Sequence, residues 1–154
     1  MRLSILASAI LIFLVLGFSK AVSAGDIILN DLNGKTVNLS GYKEKPMVLF
    51  FWTTWCPHCR KEIKALNQKY IQMEKEGIIV FAVNIGEPDY TVERFLMKDA
   101  LGFKVLLDKD GAAANKYNVI GVPTYIFLDK AGEVISDGHV LPDDYGRLFK
   151  RNGE

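Results

Sequence analysis

Cys56 and Cys59 are the only two cysteines in the 154-residue sequence, set three positions apart in "FFWTTWCPHCRKEI" (50–63) with Pro57 and His58 between them. Two thiols at that spacing can supply half of a tetrahedral metal site, close a small structural disulfide, or exchange electrons with other dithiols and disulfides. A zinc site needs two more ligands, and besides carboxylates only His58 and His139 remain. No cysteine is left for a second bridge, and a domain of about 130 residues can bury a core without a staple. The surroundings favour electron exchange, because an aromatic, strand-like run ends at the pair and an amphipathic helix begins there.

If Cys56 caps that helix, Pro57 falls on its first position, where a missing amide hydrogen costs nothing and a fixed φ helps. Unpaired amides at the helix start then favour a negative sulfur at Cys56. A protonated His58 beside that sulfur would favour it further. Cys59 sits one turn in. The expected sequence is attack by Cys56 on a substrate disulfide, a mixed disulfide, and release by Cys59. Run backward, the same steps oxidise a dithiol.

Several elements must position the pair. "KPMVLFFW" (45–52) is apolar without alternation, which predicts a strand covered on both faces. From 56 to about 76, Ile63, Leu66, Tyr70 and Met73 recur at spacings of three and four, while Lys61, Glu62, Lys64, Lys69 and Glu74 are expected to face water. Gly77 ends that helix, and "IIVFAVNI" (78–85) reads as a second central strand, parallel to the first. Downstream come a helix over 90–101, a short strand over 103–108, a short helix over 112–117, strands over 124–129 and 134–136, and a closing helix over 142–151 that Gly146 should weaken. Upstream, Asn33-Gly34 between apolar runs predicts a hairpin over 26–39. This order describes an α/β sandwich around a central sheet.

Residues 1–24 read differently. Arg2 precedes an uncharged apolar run from Leu3 to Phe18, and "VSA" precedes Gly25. That pattern predicts an export signal cleaved before residue 25, or an N-terminal membrane anchor retained uncleaved, since the run falls somewhat short of the roughly 20 residues of a spanning helix. In both cases residues 25–154 form the working domain in an extracytoplasmic or periplasmic compartment. That domain carries 17 basic and 18 acidic residues, a balance of −1 against +1 for the whole chain, which gives no general attraction to nucleic acid or anionic lipid.

"FFWTTWCPHCRKEI", "IVFAVNIGE" and "GVPTYIFLDKAGEV", in that order, resemble the thioredoxin-like reductases that support cytochrome c maturation, including their membrane-anchored members. The likeness spans nearly all of 27–140. It implies a three-layer thioredoxin-like sandwich with a central mixed sheet, an N-terminal hairpin extension and flanking helices. It implies Cys56 as nucleophile, Cys59 as resolving thiol and a cis Pro123 facing them, with the Val122 backbone receiving an extended substrate segment; Trp55, as a rigid aromatic beside the pair, is expected to give a partner a contact surface. Pro123 is also expected to open an edge strand, where its missing amide donor is harmless. Glu87 matches an acidic position beneath the pair and is a candidate proton relay, the more so because the buried aspartate of the thioredoxins is replaced here by Phe50. No organic cofactor and no metal is expected.

The partners implied are cysteine-containing extracytoplasmic proteins, apocytochrome c among them, and a membrane protein that donates electrons to a monomeric reductase. Pro57-His58 departs from this pattern and resembles the strongly oxidising periplasmic enzymes, so a disulfide-forming oxidase, or a reductase of another envelope pathway, is the alternative direction. A copper-delivery protein using His139 is the non-enzymatic alternative. His139 otherwise reads as a polar loop residue.

Overall fold

A computed structural model describes residues 27–98 and 100–150; the leader expected at 1–24 lies outside the described residues. Among the described residues no helix is long and apolar enough to cross a membrane.

The strands are β1 (Ile28–Asp31), β2 (Thr36–Asn38), β3 (Met47–Trp52), β4 (Ile79–Ile85), β5 (Lys104–Asp108), β6 (Thr124–Leu128) and β7 (Val134–Gly138). They form one sheet in the order β2-β1-β5-β4-β3-β6-β7. β3, β4 and β5 run parallel, while β1, β6 and β7 pair antiparallel to their neighbours, which makes the sheet mixed. The helices are α1 (Pro57–Lys75), α2 (Asp89–Leu96), α3 (Ala112–Lys116) and α4 (Gly146–Lys150).

β3 shows why its sequence lacks alternation. Val48, Phe50 and Trp52 pack into one core with Ile63, Leu66 and Met73 of α1 and Val92 of α2, while Met47, Leu49 and Phe51 pack into a second core with Ala113, Ala114 and Tyr117 on the α3 side. All six side chains are buried, so both faces of the strand select apolar residues. Three layers follow from one strand whose two faces are equally dry.

The hairpin at Asn33-Gly34 forms as the sequence predicts. Asp31 Oδ1 accepts from Asn33 N (2.9 Å) and Lys35 N (3.0 Å), and Gly34 takes the left-handed φ of +74° that the turn requires. Its strand β1 then joins the main sheet through β5. α1 closes with Gly77 N on Glu74 O (3.0 Å) and Ile78 N on Met73 O (2.9 Å), a Schellman closure around a glycine at φ +77°.

Four expectations need correction. α2 stops at Leu96 rather than near 101, because the following segment turns across α1: Asn67 Oδ1 accepts from Gly102 N at 2.9 Å. Gly102 lies so close to Tyr70 that an added Cβ would meet the ring at 2.6 Å. α4 begins at Gly146, not 142, because the backbone just upstream is committed elsewhere: Leu141 N donates to the Glu62 carboxylate (3.0 Å) and Asp143 pairs with Lys69 (2.8 Å). Gly146 therefore opens the helix instead of weakening its middle. Glu62 is buried rather than solvated, for the same reason. Finally, β6 lies inside the sheet between β3 and β7, so Pro123 does not open an edge strand; it precedes Thr124, the first β6 residue paired with β3, and no ladder bond is lost.

Candidate active site

The C-terminal ends of β3 and β4, the start of α1 and the entry to β6 converge on the cysteines. β3 delivers the chain to Trp52, and Cys56 then takes the N-cap position of α1 with extended dihedrals (φ −78°, ψ 115°), followed by Pro57 in the first turn. Cys59 N donates to Cys56 Sγ at 3.2 Å, so the helix's own amide faces the sulfur. Both cysteines are free thiols.

Their surroundings differ. Cys56 keeps a narrow exposed edge (4%) and Cys59 has none (0%). Burial, reinforced by the hydrogen bond with Cys56 and only partly opposed by the Thr53 backbone, pushes the Cys59 thiol up to about 12. At pH 8 Cys59 is then held as the neutral thiol. We expect iodoacetamide at that pH to modify one thiol per native molecule, Cys56, and the second only after unfolding; rapid modification of both, read by mass spectrometry, would remove this asymmetry.

Across from α1, the Val122–Pro123 peptide is cis, and Val122 O lies 3.7 Å from Cys56 Sγ. Thr124 Oγ1 donates to Gly121 O (2.7 Å), tying down the same loop. His139 Nδ1 is 2.8 Å from Pro123 O. A carbonyl only accepts, so Nδ1 carries the proton and donates to it. His139 thus braces the loop facing the dithiol. Among the described residues no group of three His, Cys, Asp or Glu side chains is assembled that could hold a metal.

Trp52 is fully buried against Phe95 (ring centroids 5.1 Å apart), whereas Trp55 is 67% exposed beside Cys56. Ile120 and Val140 are also exposed. His58 and Pro57 face outward on the first turn of α1. Glu87 is half-buried. Its carboxylate accepts from Thr54 N (2.7 Å), Thr54 Oγ1 (2.6 Å) and Asn84 Nδ2 (2.7 Å). It therefore clamps the link between β3 and Cys56, and these three hydrogen bonds reach neither cysteine.

A second acid, Glu62, is buried on the same helix as the pair. Glu62, three residues beyond Cys59 on the same buried side of α1, accepts from Tyr125 Oη (3.1 Å) and Leu141 N (3.0 Å) through Oε2. Burial, then the Glu62 charge, raises Tyr125 above its ordinary range, with a smaller contribution from Cys59, so the phenol stays a donor. Tyr125 packs on Phe50 at 4.7 Å. The apolar Phe50 leaves its strand position without a carboxylate, and the buried carboxylate on the α1 side is Glu62. Sequence reading missed Glu62 because it lies in a run of charged residues; its spacing of three from Cys59 was the available signal.

Comparison with known proteins agrees with this geometry. Residues 21–136 match the AhpC/TSA family. The thiol-disulfide oxidoreductase ResA of Geobacillus kaustophilus is 39% identical over 127 residues, covering 81% of this chain and 73% of that protein. ResA of Bacillus subtilis is 34% identical over 117 residues, covering 76% and 65%. The chain is a thioredoxin-like thiol-disulfide oxidoreductase. Among solved structures, a secreted Mycobacterium tuberculosis disulfide oxidoreductase homologous to E. coli DsbE superposes with a TM-score of 0.70 at 25% identity, over 81% of this chain and 96% of that one. StoA from Bacillus subtilis shares the fold, with a TM-score of 0.67 at 24% identity over 79% and 92%. The oxidoreductase spans about two thirds to three quarters of the length of the two ResA proteins. It belongs to their family and works through its cysteine pair.

Proposed function

We propose that this oxidoreductase reduces disulfides in extracytoplasmic proteins, with Cys56 as nucleophile and Cys59 as resolving thiol. The observation that carries the reading is Cys56 Sγ at the start of α1, bonded by Cys59 N–H and facing Val122 O at 3.7 Å. The sulfur there faces a helix amide on one side and, on the other, a strand-entry backbone on which an extended peptide can lie.

Cys56 thiolate attacks one substrate sulfur; a Cys56-to-substrate disulfide forms and the other substrate sulfur leaves as thiolate. Cys59, once deprotonated, attacks Cys56 Sγ, forming the Cys56–Cys59 disulfide and expelling the reduced substrate. Two electrons pass to the substrate, and no organic cofactor is needed. We infer that Glu62 takes the Cys59 proton, since it is the buried carboxylate one turn away on the same helix face, and that Glu87 fixes Thr54 and so the height of Cys56. Trp55, Val122 and Pro123 receive the substrate, and Pro57 and His58 tune the pair.

Substrate and place in the cell rest on the family. Apocytochrome c before haem attachment is the substrate that the resemblance to the maturation reductases suggests, with recharging by a membrane electron donor. The secreted M. tuberculosis relative supports an extracytoplasmic setting, reached through residues 1–24 as a cleaved signal or a retained anchor. Mixed disulfides trapped on Cys59→Ala in cells would name the substrate; cytochrome polypeptides absent from the trapped set would exclude them.

The outward-facing His58 beside a capped thiolate favours one rival reading, a disulfide-forming oxidase. Equilibration with glutathione decides between them. We expect a midpoint well below the about −120 mV of strong oxidants, and a value near that figure would reverse the direction of flux.

A further inference from the structure

Between α1 and α2 runs a groove of about 670 Å³ that reaches the active site through Thr54, two residues before Cys56. Its walls carry Arg60 and Lys64 from α1, Arg94 from α2 and Lys98 just beyond it. All four are exposed. Among the described residues no Asp or Glu lines the groove, and none of the four cations has an ion-pair partner; the lysines and arginine of the ion pairs found elsewhere are Lys69, Lys104, Lys109 and Arg147. Arg60 is held in place without an acid. Its Nε donates to Thr54 O (3.0 Å) and its guanidinium lies 5.9 Å over the Phe95 ring.

In a chain of net charge +1, four unpaired cations around one groove are a local field rather than a general basicity. The floor is apolar, made by Ile63, Phe95 and Leu101. A free inorganic anion would leave that floor unused, whereas a polypeptide carrying acidic and apolar side chains satisfies both walls and floor. The volume suits a short stretch of chain.

We propose that the α1–α2 groove binds an acidic segment of the substrate protein next to its disulfide, so that acidity beside the target cysteines selects substrates. The proposal rests on dithiol exchange at Cys56 and adds to it a recognition element outside the cysteine face. Charge complementarity of this kind acts mainly on the encounter rate and weakens with salt.

The test uses the full chain and three peptides sharing one disulfide loop, flanked on one side by three glutamates, three glutamines or three lysines, with reduction followed by rapid quench. The glutamate peptide should react about tenfold faster than the glutamine peptide at low ionic strength, and within about twofold of it near 0.5 M salt. The lysine peptide should be slowest. The combined variant Lys64→Gln, Arg94→Gln, Lys98→Gln should bring the glutamate-to-glutamine ratio to about one. Equal rates for the three peptides on the wild-type protein at low salt, with exchange proceeding, would overturn the groove proposal alone. No exchange with any peptide would instead overturn the dithiol reading on which it rests.

Discussion

Cys59→Ala is expected to cut multiple-turnover reduction of a protein disulfide by about a thousandfold or more, equivalent to about 4 kcal/mol of barrier, while leaving the first attack intact. The two sulfurs are not interchangeable. Cys56 alone has an exposed edge and alone receives the amide of residue 59. An alanine at 59 keeps that backbone donor, so the attacking thiolate survives while the group that would release the substrate is gone. The mixed disulfide should accumulate to nearly one equivalent and persist until an external thiol is added. Cys56→Ala should form no adduct, because the remaining thiol is fully buried and burial, the largest cause of its raised pKa, persists in the variant. Mass spectrometry of the two variants after incubation with one disulfide peptide distinguishes these outcomes. Equal trapping by both would mean that either sulfur can attack a disulfide from solution, and the asymmetry built into the start of α1 would have no functional role.

Much of this site was legible in sequence because local chemistry dictates it. A cysteine pair with proline at the first helical position after an apolar strand leaves few other local structures. The hairpin at Asn33-Gly34 and the Schellman closure at Gly77 likewise depend on residues within a few positions of the turn. The misses share a different cause. α2 ends early because a side chain of α1, Asn67, takes the amide of Gly102, 35 residues away in sequence. α4 starts late because Leu141 is held by Glu62, 79 residues away. Glu62 itself follows Arg60 and Lys61 on a helix whose periodicity marks Ile63 and Leu66 as the core; only donors distant in sequence, Tyr125 of β6 and the Leu141 amide, make burial of a carboxylate tolerable. His139 was legible only as a loop residue, since its hydrogen bond to Pro123 O forms where the end of β7 passes the entry to β6. Local patterns carry no record of such pairings.

Glu62→Gln should slow resolution of the mixed disulfide by about a hundredfold, a typical share for a positioned proton acceptor. The substitution keeps an oxygen for Tyr125 Oη and Leu141 N but removes the negative charge and introduces an amide whose hydrogens lack a buried partner, costing about 1–3 kcal/mol of stability. A purely structural role would show only that loss of stability. A proton-accepting role adds a second signature, because resolution then depends on direct ionisation of a thiol that burial holds above the ordinary thiol range. The rate should rise about tenfold per pH unit across the measured range, where the parent protein's profile flattens. Glu87→Gln serves as the comparison. Its carboxylate holds Thr54 N, Thr54 Oγ1 and Asn84 Nδ2, so loosening it should disturb the first attack by Cys56 more than the pH profile of the second step. Stopped-flow measurement of both steps across pH 6 to about 10 separates the two acids. If the steep profile appeared in Glu87→Gln and not in Glu62→Gln, the proton would leave Cys59 by way of the β4 side of the site rather than along its own helix.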